Sequence, residues 1–179
     1  MTCVVGVEKE GVVWLAGDSA CLDDEGDAVV TQRQSKVFRR GDYCIGFSGS
    51  FRIGNLLKYD IKLPENPSKN HPRQISEIIS KAIEEYGLKE EDWSALIGFK
   101  DKLYIVQADC YCYRHTKTYA AIGAESAVAV ALGTFCTLDA MSSSLKEPMS
   151  GKAMVKLALE NAMTFSSNVR PPWKYTKTS

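Results

Sequence analysis

The sequence lacks an excess of either charge, because its 22 basic residues are balanced by 22 acidic ones. A neutral chain has no overall field that would draw it to nucleic acid or to an anionic membrane surface, so we expect neither as a partner. It also lacks an apolar run long enough to cross a membrane. The first residues reach Glu8, Lys9 and Glu10 without the apolar core of a signal peptide, and we therefore expect a cytoplasmic protein.

Metal-binding and redox spacings are missing as well. Of the six cysteines only Cys110 and Cys112 are close, and a single intervening residue is not a zinc or dithiol spacing. The two histidines, His71 and His115, have no nearby set of ligands in the sequence. These gaps argue against a metal site, a cofactor and a Ser/His/Asp triad. We predict instead that the cysteines are reduced and pack as small apolar side chains.

What the sequence does contain is a regular succession of strand and helix signals within 179 residues, enough for a single domain spanning 1–179. Residues 2–8 alternate, residues 12–17 are almost continuously apolar, and Glu10-Gly11 between them predicts a hairpin turn. Further strands are predicted at 28–40 (as a pair or a long ribbon), 43–48, 93–99, 103–108, 110–121 and 173–176. Helical spacing begins at 51 and recurs at 74–86, 126–138 and 151–165, and the segments 19–27 and 63–72 are predicted as loops.

This order is strands, two helices, strands, two helices, rather than an alternation of single strands and helices. It argues against a doubly wound nucleotide-binding fold. The prediction is an α+β protein, a four-layer αββα sandwich of two stacked antiparallel sheets, each covered by a helix pair.

The chemistry centres on Thr2, which opens the first strand directly after Met1. We expect Met1 to be removed, which leaves a hydroxyl nucleophile and a free α-amine, of pKa about 8, on one residue. Such a site needs a cation, a carboxylate to hold the cation, and a backbone N–H for the oxyanion. Lys36 in an apolar strand, Asp18 at the end of the second strand and Gly49 between strand and helix are the candidates.

At these residues the chain resembles the proteasome β-subunit family, which includes the HslV-type peptidases. The matching stretches are residues 2–7, 11–19, 36–38 and 46–50. Asp18 follows Thr2 by sixteen positions, an interval that fits that family. The resemblance implies the N-terminal nucleophile hydrolase fold and the following roles: Thr2 as nucleophile, Lys36 as its electrostatic activator, Asp18 as the partner of Lys36, Gly49 as the oxyanion donor, and Phe47 as a wall of the substrate pocket.

Two positions depart from that family. Its members usually have a serine in a Gly-Ser-Gly turn, whereas here the turn has Ala124, and only Ser126 offers a nearby hydroxyl. They also have an aspartate on the last helix near the threonine amine, and its match here is Asn161, which can hydrogen-bond but has no charge. Both differences would weaken the orientation of the amine and lower activity.

Three functions follow from these residues. The first is a threonine-type endopeptidase that cuts unfolded protein or peptides inside a homo-oligomeric ring, fed by an ATPase unfoldase. The second is a weak or silent structural subunit of such a ring, which Ala124 and Asn161 favour. The third is an N-terminal nucleophile amidohydrolase acting on a small amide, but in that group the nucleophile is usually exposed by cleavage of a longer propeptide.

Overall fold

The structure is a computed structural model that describes residues 2–22, 29–65, 71–142 and 147–179. Its strands are Cys3–Lys9 (β1), Val12–Gly17 (β2), Ala20–Leu22 (β3), Val29–Thr31 (β4), Val37–Arg40 (β5), Tyr43–Gly49 (β6), Trp93–Phe99 (β7), Lys102–Gln107 (β8), Cys112–Tyr113 (β9), Tyr119–Gly123 (β10) and Lys174–Lys177 (β11). Its helices are Phe51–Asn55 (α1), continued by a π-helical turn at Leu56–Asp60, His71–Glu85 (α2), Glu125–Met141 (α3) and Gly151–Phe165 (α4). In these ranges no helix combines the length and the hydropathy of a membrane span.

The first sheet has the order β10-β1-β2-β11, and every neighbouring pair is antiparallel. Strands β1 and β2 form the hairpin that the sequence predicts. Glu10 and Gly11 at its turn have φ values of 57° and 76°, which is the geometry of a tight two-residue connection. The β1 strand is therefore central, with hydrogen-bonded neighbours on both sides, and this position holds the residues around Thr2 firmly.

The second sheet has the order β5-β6-β7-β8-β9 and is also antiparallel throughout. A short turn at Gly41–Asp42 joins β5 to β6, and another at Lys100–Asp101 joins β7 to β8. The hairpin predicted for residues 93–108 is confirmed. The short pair β3–β4 forms a separate ribbon, in which Ala20 pairs with Thr31.

Alternation along the strands explains the layers. In β1, Cys3, Val5 and Val7 belong to the core beneath α3 and α4, whereas Val4 belongs to the core between the two sheets. The outer face of the second sheet, including Ile45, packs against α1 and α2. Helix, sheet, sheet and helix are thus stacked in that order, and the predicted four-layer α+β sandwich is confirmed.

The predicted strand at 110–121 is wrong as one element. Residues 112–113 extend the second sheet beside β8, whereas residues 119–123 pair with β1 in the first sheet. Cys110 has a φ of 62°, and residues 114–118 between the two strands are exposed. Alternation in the sequence reports that a segment is extended, but it does not report that the segment leaves one sheet for another.

Three boundaries also differ from the prediction. Within the predicted loop 19–27, residues 20–22 form β3, while 23–28 lie outside the described residues. The ribbon predicted at 28–40 is two separate strands, β4 and β5, which belong to different sheets. Helix α2 begins at His71 rather than Gln74, and the preceding residues 66–70 lie outside the described part.

Candidate active site

Thr2 lies directly before β1, where the backbone on both sides constrains it, and only 7% of the residue is exposed. Its carbonyl oxygen accepts a hydrogen bond from the Ala124 N–H at 2.8 Å. Gly123 lies against the same carbonyl with a φ of 129°, and a Cβ added there would come within 1.8 Å of the Thr2 oxygen. Position 123 therefore requires glycine, and the turn before α3 holds Thr2 in position.

Asp18, at the end of β2, reaches back to the peptide group that follows Thr2. Its Oδ1 accepts a hydrogen bond from the Cys3 N–H at 2.8 Å, and its Oδ2 accepts one from the Ala20 N–H at 2.9 Å. The residue is 1% exposed. One buried carboxylate thus links the start of β1 to the start of β3, next to the candidate nucleophile.

Lys36 completes the arrangement from the other sheet. Its Nζ lies 3.1 and 3.3 Å from the two oxygens of Asp18, and it also donates a hydrogen bond to the Ala20 carbonyl. Lys36 is 1% exposed and directly precedes β5, so the ion pair spans the two sheets. The family resemblance of the sequence implies this Lys36–Asp18 pairing, and the structure contains it. The carboxylate of the pair is bonded to the N–H of Cys3, the residue that follows Thr2.

Burial moves both members of this pair toward their neutral forms. It lowers the pKa of Lys36, because the ammonium loses hydration, and the nearby Asp18 opposes that shift. It raises the pKa of Asp18 for the same reason, against the opposing effects of Lys36 and of the Cys3 and Ala20 N–H groups. A lysine with a lowered pKa releases or shares its proton at a pH closer to neutrality than an exposed lysine does. Titratable groups whose pKa is shifted by burial next to a pocket are typical of functional sites.

Thr2 opens onto a pocket of about 310 Å³. Four of its lining residues are Thr2, Gly49, Gly123 and Ala124, and the other four are Cys21, Ser48, Phe51 and Asp92. The pocket therefore brings the candidate nucleophile together with the ends of β6 and β10. This opening between the two sheets is large enough to admit part of a peptide or a small amide.

Gly49 ends β6 with a φ of 88°. A Cβ at this position would come within 2.3 Å of the Asp92 carbonyl oxygen, so only glycine fits without displacement of the backbone. The backbone at 49 consequently borders the pocket with no side chain attached. This is the local geometry that an oxyanion donor requires, and the role of Gly49 in catalysis stays a prediction.

A larger cavity lies away from this site. It has a volume of about 490 Å³, its lining includes Arg40, Tyr43, Lys62 and Glu65, and it shares no residue with the Thr2 pocket. Its described lining contains no hydroxyl beside a buried lysine. Chemistry rather than volume therefore identifies the candidate active site.

No protein-family model matches the chain, and no curated protein matches it by sequence. Solved structures match over almost its whole length. HslV from Trypanosoma brucei has 19% identity and a TM-score of 0.75, with 98% of each chain covered. BPH from Thiobacillus denitrificans, in complex with epoxomicin, has 20% identity and a TM-score of 0.77, with 99% of this chain and 98% of that chain covered. Anbu, an ancestral β-subunit from Yersinia bercovieri, has 14% identity and a TM-score of 0.69, with coverages of 99% and 81%.

The chain has the same fold as HslV and BPH. The fold suspected from the sequence is thereby confirmed. At these identities the likeness concerns the fold, and the roles of individual residues depend on the geometry described above. Thr2, Asp18, Lys36 and Gly49 are four predicted site residues that this fold brings together.

Ser126 and Asn161 do not line the Thr2 pocket. Ser126 is exposed in the first turn of α3, two residues beyond Ala124, and does not line the pocket. The Nδ2 of Asn161 donates a hydrogen bond to the Thr134 Oγ1 at 3.0 Å, which ties α4 to α3. Asn161 therefore supports the packing of the helix layer, and neither residue replaces the family's missing groups beside Thr2.

Phe47 also lies elsewhere than predicted. It is 3% exposed and does not line the Thr2 pocket. Its side chain is on the outer face of the second sheet, where its ring packs against Phe38 and Phe51 and fills the space that a Cβ at Gly54 would need. Neighbouring residues of a strand face opposite sides, so it is Ser48, together with Phe51 at the start of α1, that lines the pocket.

Sequence reasoning missed the segment that follows α4. The Ser19 N–H donates to the Arg170 carbonyl at 2.9 Å, and the Ser19 hydroxyl donates to the Pro172 carbonyl at 2.5 Å. Because Ser19 follows Asp18, this segment buttresses the carboxylate side of the site. The available signal was the short polar stretch 166–168 followed by two prolines, which predicts an irregular segment but not what it contacts.

Proposed function

We propose that this protein is a threonine-type N-terminal nucleophile peptidase with Thr2 as its nucleophile. The observation that carries the proposal is the buried Lys36–Asp18 ion pair, whose carboxylate is hydrogen-bonded to the Cys3 N–H directly beside Thr2. A buried ion pair costs desolvation and is weak evidence for stability by itself. Its contact with the peptide group that directly follows Thr2, a residue that lines a pocket, supports a catalytic role instead.

The proposed reaction starts when removal of Met1 exposes the Thr2 amine. The amine accepts the proton of the Thr2 Oγ as that oxygen attacks the carbonyl carbon of the scissile amide. Lys36 stabilises the negative charge that develops on Oγ, and the Gly49 N–H donates to the tetrahedral oxyanion. The intermediate collapses to an ester on Thr2 Oγ, and the protonated amine gives its proton to the leaving nitrogen. Water, deprotonated by the same amine, then hydrolyses the ester.

The proposal extends to assembly. We infer that copies of the chain form a homo-oligomeric ring in the cytoplasm, that unfolded protein or peptide enters it, and that an ATPase unfoldase delivers the substrate. The sequence resemblance to the proteasome β-subunit family supports this part. The almost complete coverage of HslV from Trypanosoma brucei, with 98% of each chain aligned, is in accord with it.

A second candidate function is a weak or silent subunit of the same fold. Ala124 begins α3 without a side-chain cap, and no hydroxyl stands at that position beside Thr2. The amide of Asn161 is engaged with Thr134. If orientation of the Thr2 amine depends on such groups, the ion pair alone would support little turnover.

Intact-mass measurement with epoxomicin, the compound held in the Thiobacillus BPH structure, separates these candidates. We expect the purified chain to have lost Met1 and to gain one epoxomicin per chain. Thr2→Ala should lose both the adduct and the turnover of unfolded casein or model peptides, whereas Thr2→Ser, which keeps a hydroxyl, should retain part of the turnover.

The outcomes are distinct. A chain that has lost Met1 but neither gains the adduct nor cuts peptides is the silent subunit. A chain that retains Met1 has a blocked amine, and this result also favours the silent subunit. Turnover that survives in Thr2→Ala contradicts the proposed mechanism. Size-exclusion chromatography with light scattering tests the ring separately.

A further inference from the structure

The Thr2 pocket is one part of a longer cleft. A second cavity of about 340 Å³ shares Ser48, Gly49, Asp92 and Gly123 with it and continues past four further residues, which are Trp93, Ser94, Gln107 and Ala108. We call the Thr2 pocket the first chamber and this continuation the second chamber. The two chambers meet where β6 and β10 end, so a chain that crosses this junction near Thr2 can occupy both.

The junction itself is formed by backbone. Gly49 and Gly123 both have positive φ values, of 88° and 129°, and neither tolerates a Cβ. A peptide backbone can therefore approach closely there and extend into both chambers. Selectivity between side chains has to come from the other residues that line the chambers.

Asp92 is the only residue with a charged side chain among the described residues that line the two chambers. Lys36, which lies deeper, is offset by Asp18 at 3.1 Å. Asp92 itself is exposed, and within the described ranges no lysine or arginine forms an ion pair with it and no side chain donates to its carboxylate. Among the described lining residues, Asp92 therefore has the one charged side chain, its charge is not offset by another side chain, and its position is common to both chambers.

The neighbouring acid provides a contrast. Glu91 pairs with Arg52 at 3.3 Å and lines neither chamber. Its charge is already offset, whereas the charge of Asp92 is available to a ligand. The backbone carbonyl of Asp92 also accepts a hydrogen bond from the Ser50 N–H at 3.0 Å. This bond fixes the main chain of Asp92, and a change of the Asp92 side chain leaves it in place.

We propose that Asp92 is a specificity-determining residue that favours peptides with a lysine or arginine next to the scissile bond and disfavours those with an acidic residue there. The inference rests on the proposed peptidase function and names its substrate class. Charge complementarity at an exposed site gives modest discrimination, and we expect a factor of about two to five between basic and matched neutral peptides.

The test compares the purified full-length protein, in its native assembly, with Asp92→Asn and with Glu91→Gln as the matched control. The substrates are peptides that differ only in having Lys, Arg, Gln or Glu at one residue flanking the cut bond. We expect the Lys/Gln and Arg/Gln ratios of kcat/KM to fall to about one in Asp92→Asn and to persist in Glu91→Gln. They should also decline as salt is raised. Asp92→Ser serves as a second variant, with folding checked by circular dichroism.

A wild-type protein with no basic preference, or a preference that persists in Asp92→Asn, overturns the inference. If the wild-type protein cuts no peptide, the proposed function fails on its own account. In that case fluorescence anisotropy with the same labelled peptides measures binding. If the wild-type protein binds basic peptides preferentially and Asp92→Asn abolishes that preference, the role of Asp92 is supported. If the wild-type protein has no such preference in binding, the role of Asp92 is overturned.

Discussion

At the scale of single residues, the most consequential feature is a lysine buried where no water can solvate it. Lys36 is stable there because Asp18 and the Ala20 carbonyl accept hydrogen bonds from its Nζ, and Asp18 in turn accepts hydrogen bonds from two backbone N–H groups. Each member depends on the others, because an unpaired buried charge is far more costly than an unpaired exposed one. This dependence makes the ion pair open to a direct test.

Lys36→Met should destabilise the protein by about 3–5 kcal/mol, since it leaves the Asp18 carboxylate buried without its cation. It should also abolish peptide turnover. The free energy of unfolding from urea titration measures the first effect. Lys89→Met is the matched control, because Lys89 is exposed and pairs with Glu84 on the surface. We expect it to leave unfolding unchanged.

The double variant Asp18→Asn with Lys36→Met removes both charges. It should recover part of the stability that Lys36→Met loses, without recovery of turnover. Equal stability of Lys36→Met and the wild-type protein would contradict the description of the pair as buried and mutually dependent.

At the scale of elements, the start of α3 matters most for the site. Ala124 occupies the N-cap position with extended φ and ψ values of −62° and 130°, but its methyl group cannot accept a hydrogen bond from the first turn. The same residue donates its N–H to Thr2. The N-terminal end of α3 therefore borders Thr2, and the side chain at position 124 can affect both the stability of α3 and the candidate site.

Ala124→Ser should raise the free energy of unfolding by about 0.5–2 kcal/mol through capping of α3. It should also increase kcat/KM, because it adds a hydroxyl beside Thr2. Ala129→Ser, at an exposed position within α3, is the matched control and is expected to be slightly destabilising. Unchanged turnover in a stabilised Ala124→Ser would mean that the missing hydroxyl does not limit activity.

At the scale of the whole molecule, Thr178 joins the two sheets. Its hydroxyl accepts a hydrogen bond from the Val13 N–H in β2 at 3.0 Å and donates to the Lys100 carbonyl, in the turn between β7 and β8, at 2.5 Å. The residue is 0% exposed. A single buried hydroxyl thus connects the two halves of the sandwich, and the candidate site lies between those halves.

Thr178→Val keeps the shape of this side chain but leaves the Val13 N–H without its acceptor. We expect a loss of about 1–3 kcal/mol in the free energy of unfolding, measured by urea titration. Thr176→Val, in the strand β11 that directly precedes Thr178 and partly exposed, should stay within about 0.5 kcal/mol of wild type. If both variants have the same stability, the hydroxyl does not join the sheets in the way described.

Much of this architecture follows from patterns along the chain. The alternation in 2–8, the apolar run 12–17 and the Glu10-Gly11 turn predict the central hairpin. The family resemblance at residues 11–19 and 36–38 implies that Asp18 pairs with Lys36, and the structure contains that ion pair. Such patterns are informative because each strand must present an apolar face to a core, and each helix must present an apolar stripe to it. Asn161 was matched by its position on the last helix to a family residue near the threonine amine, and this match did not predict its contact with Thr134.

By itself, then, the sequence predicted most of the strands and helices and the two-sheet sandwich, because periodicity is a property of short stretches, and its family resemblance singled out Thr2, Asp18 and Lys36. Only the tertiary structure decided that β9 and β10 join different sheets, that Gly123 and Asp92 meet at the pocket, and that the segment after α4 braces Ser19. These contacts join residues far apart in the chain. Their partners are selected by backbone hydrogen bonding and close packing, which a local pattern does not encode.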